Sequence, residues 1–229
     1  MIQAGLVPRT TIGTKLAIAT TGLILLVFVI GHLLGDLQIF LGPDRINEYA
    51  ESLRKLGPLL WIARAVLVFT LFVHIGLALR LRQLNAAARP VPYVIQHTEQ
   101  ASIASLSMVW SGLAIFFFVL YHLSHFTFGW THPEHFALIR DNRHDVYNMV
   151  VRGFQQPTVS VLYILAMLCL GLHLVHAVPS LFQTLGLNTP GWARRIQIGG
   201  ISLAVLIVLG NCSIPLAILM GLVKPATGV

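Results

Sequence analysis

Five long apolar stretches constrain the fold of this chain more than any other feature of its sequence. They cover residues 16–40, 58–79, 104–129, 157–182 and 196–223. Each reaches the length of about 20 residues that an α-helix needs to cross a bilayer. Their continuous hydrophobicity lacks the alternation of transmembrane β-barrel strands. Only 10% of the residues are charged, against about 25% in soluble domains. The sequence predicts one all-α integral membrane domain over residues 1–229, with five transmembrane helices.

The charged residues of the chain predict contact with a bilayer and no contact with nucleic acid. The net charge is +7, but Lys and Arg are scattered over the loops and form no basic run. Seven of them lie on the side of the N-terminus, called side A, and seven on the opposite side B. The positive-inside rule therefore gives a tie. Side B holds six acidic residues and side A one, and we expect the N-terminus to lie in the cytoplasm.

An internal repeat relates the two halves of the chain. Gly22–Leu33 aligns without gaps with Gly112–Leu123, and six of the twelve positions are identical. A glycine and a histidine ten residues apart recur in both copies. The next apolar stretch of each half also carries a histidine, His74 or His173. The repeat predicts two helical hairpins related by an axis along the membrane normal, which form a four-helix bundle beside a fifth helix.

Histidines are the main polar residues inside the apolar stretches. A single histidine within a membrane is as readily explained by an interhelical hydrogen bond as by ligation of a metal. One histidine on each of four successive helices favours a bound metal or cofactor, because ionisable groups are costly in hydrocarbon. The histidines within the stretches are His32, His74, His122, His125, His173 and His176.

The depths of these histidines predict two pairs. At 1.5 Å per residue, His32 lies about 24 Å from side A and His122 about 27 Å, whereas His74 lies about 9 Å and His173 about 13 Å from it. Two facing imidazoles at one depth suit a haem iron with histidine at both axial positions, which transfers electrons and leaves no site for oxygen. A zinc or iron site without porphyrin would need nearby carboxylates, and these stretches offer only Asp36.

Two further histidines leave the choice of ligand open. His125 follows His122 by three residues, and His176 follows His173 by three, so that each pair shares a helix face. Depth favours His122 over His125 as the partner of His32, but it does not separate His173 from His176. The histidines that are not ligands either donate to haem propionates or have no role.

Asp36 and Arg64 are the other charged residues within the stretches. They either pair with each other, or Arg64 contacts a haem propionate while Asp36 takes part in proton or quinone chemistry. Their positions in the sequence do not decide between these alternatives.

Several stretches, taken together, are similar to one known family. The chain resembles the cytochrome b558-type membrane anchor of succinate:quinone oxidoreductases in its single-chain, five-helix, di-haem form. The similarity extends over nearly the whole length, although no single motif is decisive. The matching stretches are Gly22–His32, Leu60–His74, Trp110–Leu123, Val146–Val151, Tyr163–His173 and Phe182–Gly186.

The resemblance implies two haem b groups and assigns their ligands. His32 and His122 hold the outer, distal haem, and His74 and His173 hold the haem nearer the cytoplasm. It also implies a prokaryotic plasma-membrane protein with a cytoplasmic N-terminus. Electrons then pass between an iron–sulfur subunit on side A and a quinone, most commonly menaquinone in this family. The chain has no flavin or iron–sulfur motif, so that the dicarboxylate chemistry of succinate dehydrogenase or fumarate reductase falls to partner subunits.

The resemblance also implies an acidic side chain near the distal haem that handles quinol protons, and Asp36 and Glu48 are the candidates. Two alternatives stay open at this point. The first is a di-haem cytochrome b of another quinone-linked dehydrogenase or a hydrogenase. The second is a transporter with histidines along its path, which would be colourless.

Overall fold

The computed structural model describes residues 10–88 and 102–226 of the chain. Within these ranges, five helical segments are long and apolar enough to cross a membrane. This confirms the prediction of an all-α, multi-pass membrane protein. Arg9, Arg89 and Glu99, which entered the comparison of charges on the two sides, lie outside the described residues. The helices in the described ranges are α1 (Thr11–Asp36), α2 (Pro43–Lys55), α3 (Pro58–Ala87), α4 (Ile103–Leu106), α5 (Met108–His122), α6 (Pro133–Phe136), α7 (Val146–Phe154), α8 (Pro157–Thr184) and α9 (Ala193–Leu219).

The ends of the long helices follow local chemistry more closely than hydropathy. Helix α3 continues to Ala87 and does not end near residue 79, because the residues that follow the apolar stretch are mostly strong helix formers. Helices α3 and α8 begin with a proline, Pro58 and Pro157, which is favoured in the first helical turn. Helix α1 begins behind Thr10, whose hydroxyl oxygen accepts from the Gly13 amide at 3.1 Å.

The α-helical part of α5 ends at His122, and a π-helical turn, Leu123–Thr127, follows it directly. The turn is closed by a hydrogen bond of 2.9 Å from the Phe128 amide to the Leu123 carbonyl. Such turns re-aim the side chains they carry and are frequent at functional sites. Here the π-helical turn carries His125.

The long helices pack in a sequence of neighbours. Helix α1 packs along α3, α5 packs along α8, and α8 also contacts α1. Helix α3 also contacts α5, because the ring centroids of Phe72 and Phe116 lie 6.1 Å apart. Helix α9 packs against α8 and α1. Gly171 allows its close approach, because a Cβ atom at this position would lie 2.6 Å from a Val208 methyl group.

The short elements that follow α1 and α5 lie on side B (α2, α6, β1, β2 and α7). We call them the side-B cap. Strands β1 (Ile139–Arg140) and β2 (Arg143–His144) pair antiparallel. Asp141 and Asn142 between them both have positive φ, as a type I′ turn requires. Helices α2 and α7 pack on each other, and a polar network joins them. In this network Asp145 accepts hydrogen bonds from Asn47 and Asn148.

Candidate functional site

The structure brings the imidazole rings of His32 on α1 and His122 on α5 into contact. Their ring centroids are 5.7 Å apart, and the ring planes meet at 64°. Imidazole–metal bonds of about 2.0 Å would place the centroids of two rings on opposite sides of one metal ion about 6 Å apart. The observed distance between the two centroids is therefore close to the distance expected for two imidazoles that bind one metal ion from opposite sides. We call them the outer pair.

Both rings of the outer pair contact an oxygen through Nδ1. His32 Nδ1 lies 3.3 Å from Asp36 Oδ2, and His122 Nδ1 lies 3.4 Å from the Tyr163 hydroxyl. Metal-binding histidines commonly use one ring nitrogen for such a contact and the other for the metal. The arrangement leaves Nε2 of each ring for ligation.

The other two predicted ligands are His74 of α3 and His173 of α8, which we call the inner pair. Each contacts a hydroxyl through Nδ1. Thr21 Oγ1 lies 3.0 Å from His74 Nδ1, and Ser111 Oγ lies 3.3 Å from His173 Nδ1. As in the outer pair, the Nδ1 contacts leave Nε2 for another partner.

The glycines of the repeat lie against the inner pair. A Cβ atom placed on Gly22 would be 3.2 Å from His74 Cε1, and one placed on Gly112 would be 3.5 Å from His173 Cε1. Each imidazole therefore packs directly on the backbone of the neighbouring helix. The glycine in each copy of the repeat therefore has the same role: the absence of a side chain leaves space for the imidazole ring.

His125 and His176, the alternative ligands, contact other side chains. His125 is buried, and its Nδ1 lies 3.1 Å from the Tyr163 hydroxyl while its Nε2 has no hydrogen-bond partner. Its ring stacks on that of Phe126 at 3.9 Å and lies 5.1 Å from that of His132. His176 Nε2 lies 3.2 Å from the Ser180 hydroxyl on its own helix. Within the described ranges, neither ring contacts a histidine on another of the long helices, as His122 contacts His32.

Asp36, Glu48 and Arg64, the charged candidates, each have a different partner in the structure. Asp36 pairs with His32, and within the described ranges no ion pair joins Asp36 to Arg64. The Arg64 guanidinium lies 4.9 Å from the centre of the Trp61 ring. Glu48 lies on the exposed side of α2, 4.0 Å from Arg45. Of the two candidates for quinone chemistry, only Asp36 contacts a histidine of the outer pair.

A metal ion at either pair would need ligands beyond the two imidazoles. In the described part of the chain, no group of three or more His, Cys, Asp or Glu side chains is arranged to hold a metal ion. A porphyrin supplies four nitrogens around its iron and needs the protein only at the two axial positions. Paired imidazoles with free Nε2 atoms fit this requirement.

Sequence analysis missed three residues that contact the paired histidines, namely Thr21, Ser111 and Tyr163. A signal for two of them was present, because Thr21-Gly22 and Ser111-Gly112 extend the repeat by one residue with a hydroxyl side chain in both copies. Tyr163 has no counterpart in the repeat, because the register that aligns His74 with His173, a separation of ninety-nine residues, places Arg64 at the equivalent position. Its contact with His122 depends on the packing of α8 on α5.

Comparisons of the chain with protein family models, with curated proteins and with solved structures found no match.

Proposed function

We propose that this chain is the di-haem cytochrome b anchor of a succinate:quinone oxidoreductase, and that it carries electrons between an iron–sulfur subunit and menaquinone. The observation that carries the proposal is the pairing of His32 with His122 at 5.7 Å across two long apolar helices. The inner pair lies on the other two helices nearer side A, and each of its rings contacts a hydroxyl through Nδ1. Two bis-histidine haems at different depths would give electrons a route across the bilayer.

The helix contacts support a four-helix haem-binding bundle. Neighbouring helices in it are α1 with α3, α5 with α8, and α1 with α8, and the contact of Phe72 with Phe116 closes the ring. This order makes α1 and α5 one diagonal pair and α3 and α8 the other. Each diagonal carries one histidine pair, and α9 is the fifth helix outside the bundle.

The bound haem supplies one-electron chemistry, and the residues of the chain set the conditions for it. The Nε2 atoms of the four histidines would hold the irons of two haems, and the oxygens at Nδ1 would fix the orientation of each ring. Arg64, His125 and His176 remain candidates for contacts with haem propionates. The flavoprotein and iron–sulfur subunits of the complex would carry the dicarboxylate chemistry and dock on side A.

Asp36 is the residue that we propose for proton exchange with the quinone. Its carboxyl group is 40% exposed at the end of α1 nearest side B, next to a ligand of the outer haem. A quinone is lipid-soluble, and it needs an apolar approach with few polar groups at the end of it. Glu48 fits less well because it lies on the side-B cap and pairs with Arg45. The complex would lie in the plasma membrane of a prokaryote with the N-terminus in the cytoplasm.

The absorption spectrum of the purified full-length protein tests this function. After reduction with dithionite we expect a b-type haem spectrum and two haems per chain. A colourless protein would contradict the proposal and favour a transporter with histidines along its path. The subunits that co-purify with the chain separate a succinate dehydrogenase or fumarate reductase from another quinone-linked dehydrogenase or a hydrogenase.

Gly22→Val is expected to remove the haem of the inner pair. A Cβ atom at Gly22 already lies 3.2 Å from the His74 ring, and the two methyl groups of valine would push the ring away from α1. We expect the haem content to fall from two towards one per chain, as quantified by the pyridine haemochrome spectrum. Gly31→Val on the same helix is the matched control, because no atom lies within 4 Å of a Cβ there. Equal haem content in the two variants would contradict the prediction.

A further inference from the structure

The hydroxyl groups beside the inner pair donate to their own helices. Thr21 Oγ1 lies 2.8 Å from the carbonyl oxygen of Ala17 and 3.0 Å from that of Ile18. Ser111 Oγ lies 3.2 Å from the carbonyl oxygen of Met108. A carbonyl oxygen only accepts hydrogen bonds, and a hydroxyl has a single proton to donate. The proton of each hydroxyl is therefore directed to the backbone.

This assignment fixes the position of the proton on each imidazole. Since the Thr21 hydroxyl donates to the backbone, its oxygen accepts from His74, and Nδ1 of His74 is the donor. The same reasoning makes His173 Nδ1 the donor to Ser111. A proton on Nδ1 leaves the lone pair of a neutral ring on Nε2.

We propose that Thr21 and Ser111 are positioning residues of the inner haem. Each holds its histidine as the Nδ1–H tautomer and directs the Nε2 lone pair to the iron. Thr21 and Ser111 lie ninety residues apart, as do the carbonyls of Ile18 and Met108 and the glycines of the repeat. The two halves of the chain thus build the same cradle twice. The proposal rests on the proposed function, because it requires that a haem binds the inner pair.

The outer pair is held differently. His32 contacts the Asp36 carboxyl group, and His122 contacts the Tyr163 hydroxyl, which it shares with His125. Among the described contacts, Thr21 and Ser111 therefore bond only to histidines of the inner pair. A change of either hydroxyl should affect one haem and spare the other.

Thr21→Val in the full-length protein in membranes tests the role of the hydroxyl. Its loss weakens the acceptor for Nδ1–H and makes the imidazole a poorer electron donor to iron. We expect the reduction equilibrium of one haem to shift by about tenfold towards the reduced form, or about 59 mV for a one-electron couple, in a redox titration followed by absorbance. Ser111→Ala should shift the same haem, and Thr21→Ser should keep the equilibrium of the unchanged protein.

Thr20→Val is the matched control. The Thr20 hydroxyl donates to the Leu16 carbonyl in the same way, but its side chain is exposed and has no histidine partner. Thr21→Ala removes the hydroxyl with less bulk, and it replaces Thr21→Val if that variant does not accumulate. The proposal is overturned if the variants of Thr21 and Ser111 match Thr20→Val, or if they shift different haems. A wild-type protein without haem would overturn the proposed function as well, whereas normal haem content with unshifted potentials would overturn this inference alone.

Discussion

His122→Ala is expected to remove one haem from the protein, and His32→Ala is expected to remove the same one. The two rings lie 5.7 Å apart and project from different helices, so that under the proposed function each would supply one axial ligand to a shared iron. His125 is held by Tyr163 and stacks on Phe126, and Asp36 lies one helical turn beyond His32 and offers a carboxylate, so that neither replaces the missing imidazole. The haem of the inner pair should remain, since its ligands lie on α3 and α8.

Haem content and the reduced absorption spectrum of each variant measure this loss. We expect one haem per chain in His32→Ala, in His122→Ala and in the double variant, with one spectrum common to all three. His74→Ala and His173→Ala should lose the other haem. His176→Ala is the control, because His176 bonds to Ser180 within its own helix, and it should keep both haems. Loss of different haems in His32→Ala and His122→Ala would show that the pairing is wrong.

The sequence predicted the parts of the fold that the bilayer imposes. Hydrocarbon requires long apolar helices, and the five spans can be located from this requirement alone. The regular rise of a helix converts sequence position into depth, which is why His32 and His122 were expected at one level. Hydropathy does not mark where a helix ends in water, and the extension of α3 to Ala87 was missed for this reason.

The contacts of the histidines were harder to predict than their depth. Asp36 follows His32 by four residues, a spacing that brings side chains together on a helix, but Arg64 was an equally good partner by sequence. The contact of Tyr163 with His122 joins residues forty-one positions apart. It depends on which face of α8 turns towards α5, and a helix that is apolar on all sides does not reveal this.

The side-B cap shows a second limit of sequence reasoning. Asn47, Asp145 and Asn148 are polar residues in short segments between apolar stretches, and such residues are usually expected in water. In the structure all three are buried. They satisfy one another across a separation of about one hundred residues, which no local pattern reveals.

Asp145→Ala is expected to destabilise the side-B cap by about 3 kcal/mol or more. Asp145 is fully buried, and it accepts from the side chain of Asn47 and from both the amide and the side chain of Asn148. Alanine would remove the cap of α7, worth about 1 kcal/mol. It would also remove the acceptor of one side-chain N–H of Asn47 and of one side-chain N–H of Asn148, at about 1–3 kcal/mol each.

Hydrogen exchange of the intact protein locates this effect and measures its size. A loss of about 3 kcal/mol corresponds to amide exchange faster by about two orders of magnitude where the opening equilibrium governs exchange. We expect this acceleration in α7 and in the segment at Ala226, which Asn148 binds through two hydrogen bonds. The parts of α1, α8 and α9 around Leu33, Leu174 and Ile207 should be unaffected, because their apolar cluster includes no residue of the side-B cap. Glu48→Ala is the control next to Asn47, since its exposed pair with Arg45 contributes at most about 1 kcal/mol. Exchange in Asp145→Ala that matches this control would show that the network does not stabilise the cap.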